Sequence, residues 1–266
     1  MSLRSEIWNE PLTVLGRSAV NVTQALGAVF LFMFEALAKI FVPPFRFYYI
    51  LQQIHFIGMK SLFVVGLTGL FTGMVLGLQG YYTLVQYGSE SVLGAAVTLS
   101  LLRELGPVLT ALMITGRTGS SMAAEIGIMR ISEQIDALDT MDIDPVHFLI
   151  VPRYIAALIS FPLLTAIFDC IGIMGGYISG VILMQINAGT YMNHMVSGVV
   201  MNDVTSGFLK AFVFALIVTT ISCYQGFYAH KRGFGAKGVS AATTSAVVVS
   251  SVLILVTDYI MTSFLI

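Results

Sequence analysis

Arg103 and Glu104 stand side by side inside an apolar run of the sequence, and ionisable residues there are the first candidates for chemistry. A charge at the bilayer centre costs on the order of 3 kcal/mol, so such residues need a partner or a wet cavity. One reading makes the two a structural pair, bonded to each other or to neighbouring helices. The other makes Arg103 a headgroup contact, because a guanidinium matches phosphate with forked hydrogen bonds. Lys210, in a later apolar run, either snorkels to the far interface or meets a headgroup. Asp169 and Asp258 are expected to be paired or cavity-facing, with a proton relay as the alternative. His55, His147, His194 and His230 are scattered without metal-ligand spacing, and no Ser-His-Asp set can be assembled. Gly116-Arg117-Thr118-Gly119-Ser120-Ser121 has the glycines of a phosphate loop. It lacks the Gly-Lys-Ser/Thr ending, however, and comes after a membrane helix rather than a strand. The chain is thus expected to hold no metal, bind no nucleotide and make or break no bond; ATP chemistry would belong to a partner.

The elements that position these residues can be read from composition. Hydrophobic residues make up 57% of the 266 and charged residues 10%, with a mean hydropathy of +0.89. A soluble domain carries about 25% charged residues, so lipid is the expected solvent and no nucleic-acid partner is expected. Crossing the hydrocarbon takes about 20 apolar residues, and five segments qualify, at 61–82, 91–115, 147–185, 204–228 and 240–266. Helices are required there, because lipid leaves open backbone groups unsatisfied. The expected fold is therefore an all-α integral membrane protein, with turns at Gly88-Ser89, Asp144-Pro145, Asn187-Ala188-Gly189 and from Lys231 onward. Cys170 and Cys223 read as small buried hydrophobes. The N-terminus lacks a compact signal peptide and is expected to be uncleaved.

Charge settles the topology. Arg4, Arg17, Lys39, Arg46 and Lys60 precede the first span; Arg117, Arg130 and Arg153 surround the stretch after the second; Lys231, Arg232 and Lys237 come after the fourth. Loops 83–90 and 186–203 contain no Lys or Arg. Positive charge stays cytoplasmic, so the long third segment must cross once, bent near Pro162 or tilted. The N-terminus is then cytoplasmic and the C-terminus lies on the far side. Residues 22–41 tempt a sixth span, but Glu35 and Lys39 lie one turn apart and Pro43-Pro44 ends the run. An interfacial or re-entrant helix within a 1–57 N-terminal region fits better, leaving 58–266 as the membrane-spanning domain. The first span places Gly66, Gly69, Gly73 and Gly77 on one face, which allows close helix contact.

Between the second and third spans lies a charged, amphipathic stretch at about 118–140. Ile128, Ile131, Ile135 and Leu138 recur at helical spacing and form one ridge. Glu133, Asp136 and Asp139 share another face, and Arg130 can reach Glu133 three residues on. Either this is a surface helix tucked against the bundle, or it presents itself to a docking partner.

Several motifs together closely resemble the MlaE (YrbE) family: Gly73-Met74-Val75-Leu76-Gly77-Leu78-Gln79-Gly80, Ser100-Leu101-Leu102-Arg103-Glu104-Leu105-Gly106-Pro107-Val108, Gly116-Arg117, and Ala124-Glu125-Ile126-Gly127-Ile128-Met129-Arg130 with Glu133-Gln134 and Asp144-Pro145. The resemblance runs from about residue 55 to the end. It implies the permease subunit of an ABC transporter moving phospholipids between the inner and outer membranes of a bacterium. It further implies a homodimer in the inner membrane, two cytoplasmic ATPase subunits holding ATP and Mg, a STAS-domain protein on those subunits, and an MCE-domain ring on the periplasmic side. The stretch at 118–140 would be the coupling helix, with Glu125, Ile128, Met129, Arg130, Ile131, Glu133, Gln134, Ile135 and Leu138 as ATPase-coupling residues. Leu76, Leu84, Tyr87, Arg103, Glu104, Leu105 and Lys210 would contact lipid. The alternative is an ion- or proton-coupled transporter using Glu104, Asp169 and Asp258.

Overall fold

Two helices can lie backbone to backbone in lipid only where side chains vanish from both, and the glycines of the first and third spans meet that condition. In the computed structural model the described residues are 20, 23–43 and 46–265; among them the fold is all-α, with no strand. The helices are α1 (23–39), α2 (Phe47–Ile57), α3 (Leu62–Val85), α4 (Leu93–Ser100), α5 (Gly106–Ile114), α6 (Ser120–Ile131), α7 (Gln134–Thr140), α8 (Val151–Tyr177), α9 (Ala188–Gly198), α10 (Met201–Phe227) and α11 (Ala236–Leu265). Wider π turns join several of them, at Leu101–Leu105, Thr115–Gly119, Val146–Ile150 and Ile178–Leu183. Five helical stretches are long and apolar enough to cross a membrane: Phe47–Val85, Glu90–Ile131, Val146–Leu183, Met201–Phe227 and Ala236–Leu265.

α3 packs most extensively on α8. A Cβ added at Gly73 would collide with the carbonyl oxygen of Gly172, and one at Gly69 would lie 2.8 Å from that of Phe168. Around this seam lies the main core, built from Val65, Leu101, Phe161, Phe168, Phe214 and their neighbours. α3 ends where Gly88 turns left-handed (φ 61°) and the Ser89 N–H reaches back to the Leu84 carbonyl at 3.0 Å, closing off carbonyls that lack helical partners. The third segment is one continuous helical stretch, Val146–Leu183, rather than a hairpin, with Pro162 inside α8.

Three expectations change. The charged stretch at 118–140 is two helices: α6 continues the second span without a stop, and the chain breaks at Glu133, whose φ is 59°. Arg130 accordingly pairs with Asp136 at 2.7 Å and not with Glu133. The boundary proposed at residue 57 falls inside a continuous path, because α2 leads through a single tight turn, Met59–Ser61, into α3. Finally, loop 186–203 contains α9, begun by Asn187, whose side chain accepts the Gly189 and Thr190 N–H groups at 2.9 and 3.2 Å. This is a common way to start a helix, and Asn187 had suggested only a turn.

α1 packs against the C-terminal end of α10 and the start of the third long helix. Phe32 and Ala36 are buried, with the Phe32 ring 5.6 Å from Tyr224 and 5.9 Å from Phe227. Leu26, Phe30, Leu31 and Phe34 face outward, as an interfacial helix requires. Lys39 pairs with Glu35 at 2.6 Å and also with Asp144. Asp144 meanwhile accepts the Val146 N–H at 2.9 Å and the His147 N–H at 3.3 Å, starting the third span. Burial opposes both charges. The Lys39 contact and the two N–H donors outweigh it, so Asp144 sits below the usual carboxylate range and Lys39 above the usual amine range. Arg4, Arg17 and Pro44 lie outside the described residues.

Gly73→Val should open the α3–α8 seam at a cost above about 3 kcal/mol, because backbone cannot yield as a side chain can. Monodisperse yield and thermal midpoint in detergent read this directly. Gly116→Ala, whose added methyl meets nothing within 4 Å, should be neutral or stabilising by up to about 1 kcal/mol.

Candidate functional site

Pro107 has no N–H to offer the carbonyl four residues back, that of Arg103, and a lysine from another helix takes that place. Lys210 Nζ donates to the Arg103 carbonyl at 2.9 Å. Gly207 makes the approach possible: a Cβ there would collide with the Leu102 carbonyl. With α10 this close to the π turn, Asp203 and Lys210, on either side of Gly207, reach Arg103 and Glu104. Lys210 Nζ also donates to Glu104 Oε2 at 2.7 Å and to Thr262 Oγ1 at 2.7 Å. Its three donors are thereby used, and Asp258 Oδ1, 2.9 Å away, adds charge attraction without a well-aligned hydrogen bond. Arg103 Nε donates to Asp203 Oδ1 at 2.7 Å; Asp203 Oδ2 accepts the Val200 N–H at 2.9 Å. A cavity of about 190 Å³ opens on this cluster, lined by Arg103, Glu104, Asp203, Lys210 and Thr262 among others.

Arg103, Glu104 and Lys210, three of the candidate lipid contacts, are therefore one site, and Asp203 and Thr262 complete it. Sequence reasoning missed those two, because a start-of-helix aspartate and a lone threonine read as ordinary capping and packing. Lys210 does not snorkel: its side chain is 2% exposed. Arg103 is 44% exposed and keeps free guanidinium N–H groups facing the opening. Asp258 is paired, as expected. Asp169 is neither paired nor at this cavity; it is buried in α8, and its Oδ1 finds no partner among the described residues. Leu76, Leu84 and Leu105 are half-buried against the main core, and Tyr87 is exposed beyond α3. None of these four lines the cavity.

At the opposite end of the second span, α6 and α7 form the charged element. Ile135 is fully buried, in a second core with Phe32, Ile126, Leu149 and Cys223, against which Met129 and Leu138 also pack. The expected continuous ridge is thus split: Ile135 and Leu138 hold α7 to the protein, while Ile128 is 56% exposed and Ile131 half-exposed. Glu133 and Gln134 are exposed at the break. Glu125 is tied to the buried Arg153 at 3.1 Å, so it is a structural partner as well as a surface charge. Arg130 holds three neighbours: Asp136, His230 Nδ1 at 3.2 Å, and the Phe227 ring at 5.6 Å. Burial, then the Arg130 and Lys231 charges, push the His230 imidazole below its ordinary range, which keeps Nδ1 available as an acceptor.

Lys210→Met should destabilise the protein by about 3–5 kcal/mol, since it strands two carboxylates in a partly buried site. Adding Glu104→Gln and Asp258→Asn should recover most of that loss in a thermal-shift series. At the other end, the His230 contact should be complete above pH about 6.5 and lost below it, because a lowered folded-state pKa places the loss on the acid side. Protection of amides over 129–138, relative to their intrinsic exchange rate, should fall on acidification, and His230→Gln should flatten that dependence.

Comparison of the sequence with known proteins points to one family. The family described as Permease MlaE matches residues 50–264. The chain is 47% identical over 248 residues to a probable ABC transporter permease protein of Rickettsia conorii, covering 93% of this chain and 95% of that one. It is 40% identical over 257 residues to the intermembrane phospholipid transport system permease protein MlaE of Haemophilus influenzae, covering 96% and 97%. It is also 36% identical over 214 residues to the chloroplastic protein TRIGALACTOSYLDIACYLGLYCEROL 1 of Arabidopsis thaliana, covering 80% and 60%. With the family matched over most of its length and relatives 40–47% identical end to end, the chain belongs to the MlaE permease family.

Proposed function

We propose that this chain is the membrane subunit of an ATP-driven phospholipid transporter of the bacterial inner membrane, working as a homodimer. Two cytoplasmic ABC ATPase subunits hold ATP and Mg and carry a STAS-domain protein; an MCE-domain ring continues the path on the periplasmic side. The observation that carries this reading is the bipolar second helix, Glu90–Ile131. At about 1.5 Å per residue it outreaches a ~30 Å hydrocarbon core roughly twofold. It can therefore present α6 and α7 to a partner in water while holding Arg103 and Glu104 in the membrane. The N-terminus is cytoplasmic and the C-terminus periplasmic.

The chemistry divides between the ends. Arg103 is the headgroup contact, because part of its guanidinium is open to the cavity and can fork onto a phosphate. Lys210 and Glu104 support it: the ammonium cancels carboxylate charge that would repel an anionic headgroup. Leu105, on the same π turn, and Leu76, Leu84 and Tyr87 on the first span are the acyl-chain contacts, reached across the dimer. On the cytoplasmic side Ile128, Ile131, Glu133 and Gln134 meet the ATPase. Met129, Arg130, Ile135 and Leu138 fix the angle at which they are offered. Closure of the ATPases pushes this element, and the unbroken helix carries the displacement to the cavity.

Purification of the native complex tests this. An ATPase should co-purify, and native mass spectrometry should find phospholipid with the permease. Ile128→Asp should weaken ATPase association about tenfold or more, the effect of a central interface contact, without lowering thermal stability. Ile135→Asp should instead unfold α7. Lipid movement driven by a proton gradient with no ATPase present would overturn the proposal.

A further inference from the structure

Arg117 belongs to neither polar end of the molecule, and its hydrogen bonds lead elsewhere. It sits in the second π turn, Thr115–Gly119, where the membrane part of the second span becomes α6. A π turn inserts one residue and so rotates the downstream helix by about 100°. Its loosened carbonyls are covered by hydroxyls on the same helix: Ser120 Oγ donates to the Gly116 carbonyl at 2.6 Å, and Ser121 Oγ to that of Arg117 at 2.8 Å. The turn is thus satisfied within its own helix, and the Arg117 side chain is free to work outward.

It reaches the joint between α2 and α3. Nη1 donates to Ser61 Oγ at 2.8 Å and to the Phe56 carbonyl at 3.3 Å, with the guanidinium carbon 5.9 Å from the Phe56 ring centre. The last carbonyls of a helix have no partner of their own and carry the negative end of its dipole, so a cation is favoured there. Ser61 Oγ also lies 3.3 Å from Thr118 Oγ1, and both residues are buried. The joint is held from its other side as well: a Cβ on Gly58 would be 3.4 Å from Ser160 Oγ of α8. One arginine therefore fastens the helix that ends in α6 to the turn that joins α2 to α3.

We propose that Arg117 is a positioning residue for transport: it locks the α2–α3 joint to the second span, so that a push on α6 moves α3, and with it α8, as one body. This rests on the ATP-driven reading above. Without the lock, α6 would swing while the first span stayed behind, and hydrolysis would run without moving lipid.

The test uses the complete complex in vesicles of phosphatidylethanolamine and phosphatidylglycerol, with ATP hydrolysis and movement of a labelled phospholipid measured together. Arg117→Met should assemble and hydrolyse ATP near the wild-type rate, while lipid moved per ATP falls about 3- to 30-fold, the range seen at coupling positions. Arg117→Lys, which keeps the charge but not the reach or planarity of the guanidinium, should recover part of it. An unchanged lipid-to-ATP ratio in Arg117→Met would sink the inference alone; a wild-type complex with no ATP-dependent lipid movement would sink the transporter reading first. Should Arg117→Met fail to assemble, a Ser61→Cys/Thr118→Cys cross-link in a Cys170→Ser background decides. Oxidation should leave transport intact if the joint travels closed, whereas transport lost on oxidation and restored by reductant would overturn the lock.

Discussion

The ammonium of Lys210 is a full charge with almost no access to solvent, and the end of the bundle around it is arranged to keep it satisfied. Four groups from two other helices converge on it: the Arg103 carbonyl, Glu104, Thr262 and Asp258. Each is available for a separate reason. Pro107 frees the carbonyl, the π turn at Leu101–Leu105 turns Glu104 inward, and the return of α11 supplies Thr262 and Asp258. In a medium of low dielectric such a network is strong only when complete, and costly when any member is missing. The neighbouring Arg103–Asp203 pair inherits its position from the same close approach of α10, which depends on Gly207. The cavity is therefore a consequence of how one buried cation is satisfied.

The same logic recurs at the other π turns. Lipid offers no hydrogen bonds, so every helix interruption must be answered by protein. Arg153 donates to the Leu149 carbonyl, Ser179 Oγ to that of Gly176 at 3.1 Å, and Thr115 Oγ1 to that of Ala111 at 2.7 Å. Because these repairs are local, the long helices stay continuous through their irregular turns. A continuous helix can transmit displacement across a bilayer. The irregular turns, in exchange, aim polar side chains at places that a regular helix would not reach.

At the end of the bundle that carries α6 and α7 the constraint is apolar. α1 lays Phe32 and Ala36 over the ends of α10 and the third span, and Ile135 completes that cluster from α7. The charged element is therefore anchored by half of the ridge that periodicity had marked, Ile135 and Leu138. It displays the remainder: Ile128, part of Ile131, and the polar break at Glu133-Gln134.

Much of this protein was legible in its amino-acid order. Five apolar helices long enough to span, the unbroken third one, the glycine face of the first and the permease family can all be read from run lengths and ordered motifs. These properties are local, or depend on each helix meeting the same lipid. Which residues meet was not legible. Nothing in the order of residues says that Lys210 is buried among Glu104, Asp258 and Thr262, that Asp169 lacks a partner for Oδ1, or that Arg117 caps a helix far earlier in the chain. The break at Glu133 escaped as well, because a left-handed glutamate carries no mark that distinguishes it from a helical one. Periodicity shows that a residue has an apolar neighbour; whether that neighbour is lipid, another protein or another part of the same chain depends on distances that only the packed helices decide.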